Sequence, residues 1–98
     1  MTIEKSTNGT QLNIALAGRL DTTTAPLLEA ELKRSIGGVE NLVLDFSALE
    51  YLSSAGLRVL LAAQKVMNKQ GKMVIRGVNE TIAEVFEITG FSEILTVE

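Results

Sequence analysis

The sequence predicts a single α/β domain over residues 1–98: a mixed sheet of four or five strands, led by an N-terminal hairpin and packed against three or more helices. Three observations lead there. The chain opens with two strand-period segments joined at Asn8-Gly9. Helix-like and strand-like segments then alternate to the end. With 98 residues, 46% of them hydrophobic and 21% charged, the chain has material for one core and lacks the composition of a disordered tail.

The first hairpin strand covers Ile3 to Ser6 and the second Gln11 to Ala17, where Leu12, Ile14 and Leu16 alternate with smaller or polar residues. Period-two alternation marks a sheet with one buried face, and Asn8-Gly9 supplies the positive φ angles of a two-residue turn. Ala25, Leu28, Leu32 and Ile36 then fall at helical spacing, with Glu29 and Lys33 paired on the outside. This first helix runs from about Ala25 to Ile36, capped by Thr24, with Pro26 in its first turn and Gly37-Gly38 at its end. Leu42 to Phe46 is an apolar run suited to a central strand, interrupted by Asp45. From Ala55 to Gln70, Leu57, Val59, Leu60, Leu61, Ala63, Val66 and Met67 form a broad apolar face. Arg58, Lys65 and Lys69 line a narrow polar stripe, so this second helix is mostly buried, and Gly71 ends it. Lys72 to Arg76 reads as a strand, Asn79 as the cap of a third helix from Glu80 to Ile88 ending near Gly90, and Ile94 to Val97 as a short last strand. Leu44, Leu57, Leu61 and Val74 are expected to share the core between sheet and second helix.

The chain has no Cys and no His, which removes thiolate nucleophiles, Cys/His zinc sites and imidazole bases. Twelve acids against nine Lys and Arg give a net charge of −3, with no basic run to meet a nucleic-acid backbone. No stretch approaches the ~18 apolar residues of a membrane span, and Met1 to Lys5 carry no apolar signal core. The expectation is a cytoplasmic protein without metal or cofactor that acts on a protein or a small ligand.

Asp45 to Leu57 is the informative segment, reading as the exit from a central strand into the second helix, the edge where open α/β sheets place ligands. Ser53 and Ser54 at that helix start read first as caps. A nucleophile is excluded on chemistry: the G-x-S-x-G elbow is missing, no His is present, and Lys65 lies roughly 16 Å along the helix from Ser54. Enzymatic activity is therefore not expected. A phosphate acceptor needs only an accessible hydroxyl, and a helix N-terminus favours the added negative charge.

Taken together, Gly18-Arg19-Leu20-Asp21 before Thr24, a buried strand ending in Asp45, and Leu52-Ser53-Ser54-Ala55-Gly56-Leu57 resemble the bacterial anti-sigma factor antagonists, single-domain members of the STAS family. The resemblance covers nearly the whole chain. It implies the STAS fold, phosphorylation at Ser54, two residues before Gly56, and a partner-binding surface of Asp21, Thr22, Ser53, Ser54, Gly56 and Arg58, with Asp45 flanking the site. It also implies the partners: an anti-sigma factor serine kinase of the histidine-kinase-like ATPase type, and a serine phosphatase that restores the unmodified protein. Where the family commonly has Asp before the acceptor, this chain has Ser53, which removes a negative charge beside the phosphate. The rival reading is the STAS subunit of a lipid-transport ABC system, contacting its ATPase without phosphorylation. A nucleotide-binding domain lacks support, because no G-x-x-x-x-G-K-[ST] loop is present.

Overall fold

The computed structural model describes all 98 residues. The elements are β1 (Thr2–Asn8), β2 (Gln11–Leu20), α1 (Ala25–Ser35), β3 (Asn41–Leu52), α2 (Ser54–Gln70), β4 (Lys72–Arg76) and α3 (Glu80–Thr89), followed by a 3-10 turn at Phe91–Glu93. One four-stranded sheet runs in the order β1-β2-β3-β4, antiparallel across the hairpin and parallel from β2 to β4. The hairpin turn is shifted by one residue from its expected place. Asn8 pairs with Gln11, so Gly9-Thr10 make the turn, and only Gly9 takes a positive φ, +62°.

Both parallel crossovers step in the same direction across the sheet. Right-handed connections of that kind place their helices on the same face. Register carries the consequence into packing: Leu12, Leu42 and Met73 form one cross-strand row, and Ile14, Leu44 and Ile75 the next. All six are buried, and with Leu28 and Leu32 of α1, Leu60 and Met67 of α2, and Ile82 and Phe86 of α3 they belong to one core cluster. The alternate residues Asn13, Val43 and Val74, and then Ala15, Asp45 and Arg76, share the opposite face.

β3 is longer than the apolar run suggested. Its ladder with β2 slips twice: Asp45 to Ala48 spans what Ala15 to Ala17 spans in β2, and Leu49 to Tyr51 matches Gly18 to Arg19. Each slip inserts a residue into β3, as a bulge does, and the spacing of buried side chains changes from Leu42, Leu44, Phe46 to Phe46, Leu49, Leu52. Asp45 therefore lies within the strand, not at its end. Val74 is also displaced from its expected role, because strand alternation puts it on the face away from the helices while Met73 and Ile75 enter the core. Leu61 is only half-buried on the flank of α2, and Val66 is 41% exposed, since α2 meets the sheet through Leu57, Leu60 and Met67.

α3 follows its expected ends closely. The Asn79 side chain accepts the Ile82 N–H at 2.8 Å, and Gly90 closes the helix at φ +80°. The last strand is replaced by the 3-10 turn and a single parallel bridge between Ile75 and Val97, with the Ile75 N–H donating to the Thr96 carbonyl at 2.9 Å. No helix is long and apolar enough to cross a membrane.

The packing predicts a contrast between neighbours. Leu60→Ala, at a fully buried site, should cost about 2 to 5 kcal/mol. Leu61→Ala should cost clearly less, because its half-exposed side chain leaves no closed cavity. Urea denaturation midpoints of the two variants make the comparison, and equal losses would place Leu61 in the core after all.

Candidate functional site

The site lies at the end of the sheet where β2 and β3 finish side by side. Leu20 and Leu52 are register partners, and the Ser53 N–H donates to the Leu20 carbonyl at 2.9 Å. α2 begins there without an intervening loop. Ser53 is extended (φ −96°, ψ 173°); its carbonyl accepts the Leu57 N–H at 3.0 Å and its hydroxyl accepts the Gly56 N–H at 3.4 Å. Ser53 is therefore the cap. Ser54 is the first residue of the helix, exposed, and its hydroxyl makes no hydrogen bond within the chain. No acid occupies the first turn of α2, so the partial positive charge of the helix end is not offset by its own side chains.

Gly56 fixes how close this helix end comes to the strands. A Cβ built there would stand 2.7 Å from both Leu20 Cγ and Leu52 Cδ1, so no larger residue fits without displacing one of them. This corrects the expected partner-binding role of Gly56: it is buried beneath the surface, where it seats the helix that presents Ser54.

On the other side of the site, Asp21 takes the capping role expected of Thr24. Its Oδ1 accepts the N–H groups of Thr23 at 3.0 Å and Thr24 at 3.1 Å, and its carbonyl accepts the Ala25 N–H at 2.8 Å. The Thr24 hydroxyl accepts the Asp21 N–H in return, at 2.9 Å, and donates to the Arg19 carbonyl at 2.8 Å. The reciprocal pair is a capping box with Thr in the fourth place. The Thr24 N–H, and after it the Thr23 N–H, hold the Asp21 carboxyl below the usual carboxylate range, the Thr24 hydroxyl and the Arg19 charge add to this, and partial desolvation opposes it.

Thr22 and Arg58 border a shallow depression of about 180 Å³ between the start of α1 and the first turns of α2, together with Pro26, Glu29, Ala55 and Val59. Arg58 stands one helical turn after Ser54 and is exposed, so both project from the same side of α2. Asp21, Thr22, Ser53, Ser54 and Arg58 are thus gathered at one end of the molecule. Asp45 is not among them. It pairs with Ala15 and Arg76, five β2 residues below Leu20, about 17 Å at ~3.3 Å per residue. Its carboxyl is held low by the Ser47 hydroxyl first and the Ser47 N–H second, so it organises its own strand. A contact absent from the sequence reading joins the site: Arg19 lies over the Tyr51 ring at 4.1 Å and reaches Asp21 Oδ2 at 3.7 Å. The pair follows from the register after the second slip in β3, which no local pattern announces.

Residues 2–98 match the family model described as the STAS domain. The chain belongs to this family. Among curated STAS relatives, a Bordetella bronchiseptica protein named as an anti-sigma factor antagonist, BtrV, is 43% identical over 84 residues, covering 84% of this chain and 72% of that protein. The anti-sigma-B factor antagonist of Staphylococcus aureus is 29% identical over 99 residues, covering 99% of this chain and 92% of its own. Among solved structures, the anti-sigma factor antagonist SpoIIAA in its unphosphorylated form superposes with a TM-score of 0.79 at 19% identity, covering 99% of this chain and 87% of that one. The phosphorylated form of SpoIIAA from Bacillus gives 0.78 at 19% identity, with 99% and 91% covered. These likenesses establish the STAS fold, a mixed four-stranded sheet that begins with an N-terminal hairpin and carries three helices.

The capping geometry has a consequence in acid. The Asp21 carboxyl titrates lower in the folded protein than the ordinary ~3.9, so the unfolded chain takes up the proton first as pH falls. Its contribution to stability is complete above that ordinary value and disappears as pH drops through the lowered one. Asp21→Asn keeps a capping acceptor but cannot titrate. Its urea midpoint should therefore fall less than the wild-type midpoint between pH 5 and pH 2.5, and parallel losses would remove Asp21 from the acid response.

Proposed function

We propose that this STAS domain is an anti-sigma factor antagonist whose α2 N-terminus docks on an anti-sigma factor serine kinase of the histidine-kinase-like ATPase type, freeing the sigma factor. The kinase then moves the γ-phosphoryl group of ATP to the Ser54 hydroxyl, which ends the interaction, and a serine phosphatase restores the binding form. The work of the domain is binding; the partners supply the base, the metal and the water-activating machinery. The names of the relatives support the regulatory class, and SpoIIAA has been solved with and without phosphate.

The observation that carries the proposal is the division between the two serines. Ser53 is committed to capping, whereas Ser54 is exposed with an uncommitted hydroxyl at the positive end of an acid-free helix turn. A phosphoryl group there gains from the helix dipole and from Arg58 one turn away, so modification leaves the fold in place. A partner that buries the neutral hydroxyl must instead desolvate a dianion. Ser53 in place of an acid also lessens like-charge repulsion as the phosphate forms.

Phosphosite mapping after incubation with the cognate kinase should find phosphate on Ser54 and none on Ser54→Ala. Calorimetric titration should show Ser54→Asp binding the kinase at least about a hundredfold more weakly than wild type, with circular dichroism unchanged, because an unpaired charge in an interface costs several kcal/mol. Phosphate on Ser53, or equal affinities of the two folded proteins, would overturn the switch and favour a constitutive subunit of the lipid-transport kind.

A further inference from the structure

A second surface lies ten residues further along α2, about 15 Å from Ser54 at ~1.5 Å per residue. There a cleft of about 380 Å³ separates the C-terminal half of α2 from the free edge of β4, lined by Gln64, Asn68, Lys72, Met73, Val74 and Thr96. Gln64 is the one buried polar residue of the chain, 6% exposed. Its Nε2 donates to Asn68 Oδ1 at 2.8 Å, and its Oε1 has no partner. Whichever way the amide lies, one of its two polar atoms is buried unpaired, a state that natural cores seldom tolerate. Gln64 is at the same time one of the residues that line the cleft.

The backbone beside it is also unsatisfied. Lys72 donates inward to the Glu40 carbonyl, whereas the Ile75 N–H and C=O point outward and are taken by Thr96 and Glu98. Strand alternation makes the Met73 N–H and C=O point outward too, and the C-terminal segment, which bridges β4 only at Ile75, does not reach them. The outward-facing N–H and C=O of Met73 are therefore open in the same cleft as a buried amide that lacks a partner. Lys72 is the one charged residue lining the cleft, Lys65 and Lys69 are its exposed neighbours on α2, and the nearest acid of the C-terminal segment, Glu98, is engaged by Arg76 at 4.0 Å.

The geometry points to this cleft as a docking groove for an extended acidic segment of a partner protein. The segment adds to the edge of β4 at Met73, satisfies the Gln64 amide with a polar group of its own, and sets its carboxylates against Lys72 and its neighbours. Main-chain pairing supplies the affinity and the charge supplies the choice of partner. The surface is independent of phosphorylation at Ser54, so one helix carries two contacts.

The test uses the full chain and a blocked hexapeptide of alternating glutamate and valine, with the lysine-valine peptide as control. In two-dimensional NMR the acidic peptide should shift the Gln64 side-chain amide, Asn68, Lys72 to Val74 and Thr96, and slow exchange of the Met73 N–H at least tenfold at saturation. Lys72→Glu should weaken binding at least tenfold. Gln64→Leu should weaken it while raising the thermal midpoint, since the orphaned polar atom is gone. Absence of shifts at millimolar peptide, equal binding of the lysine peptide, or shifts centred on Ser54 would each overturn the assignment. So would the same resonances moving with protein concentration alone, which would make the occupant a second copy of the chain.

Discussion

The handedness of two chain crossings governs this structure. β2 to β3 and β3 to β4 both step the same way across the sheet, so α1 and α2 come to one face, and the core is the single layer between them and the strands. The ends of β2 and β3 and the start of α2 consequently meet at one edge, where Leu20 and Leu52 close the ladder and Gly56 settles onto both. The opposite face of the sheet receives none of the three helices. Apart from Val43 and Val74 its central residues are small or polar, as Ala15, Asn13 and Asp45 illustrate, which suits a mixed sheet with water on one side.

At the functional edge, neighbouring residues divide tasks that a single residue could not combine. A serine that caps a helix spends its oxygen on a backbone N–H and is tied to the strand end; a serine that accepts a phosphoryl group has to offer that oxygen to a partner. Ser53 does the first, and Ser54, one residue later and already helical, leaves its hydroxyl without a partner in the chain. The Asp21–Thr24 capping box holds the facing loop in place by the same economy of backbone bonds, which keeps Thr22 at the rim of the depression.

Elements governed by local chemistry were legible in the sequence. Helix periodicity and the Asn79 and Gly90 caps placed α3 to within a residue, and alternation exposed the buried face of β2. What failed depended on distant partners. The two slips in β3 are defined only against β2, so the apolar run shows the strand no further than Phe46 and puts Asp45 near its end. Leu61 and Val74 are apolar enough for the core, yet their exposure is decided by the tilt of α2 and by which face the crossovers cover. The capping of α1 passed from Thr24 to Asp21 because the turn before the helix already winds helically, bringing the Ala25 N–H to the Asp21 carbonyl. The start of α2, by contrast, needs only the local Ser-Ser-Ala-Gly run, since strand end, cap and helix start are contiguous there.

A small net charge conceals how unevenly the charge is arranged. The five bases of residues 54–76 are followed by Glu80, Glu84, Glu87, Glu93 and Glu98 with no base among them, and the two groups meet where Arg76 lies 4.0 Å from Glu98. The segregation along the chain is far greater than a total charge of only −3 conveys. In the field of any charged partner a chain so segregated experiences a torque before it experiences contact. Diffusional collisions are then not sampled evenly over the surface, and the fraction of encounters that begin in register rises as salt is withdrawn.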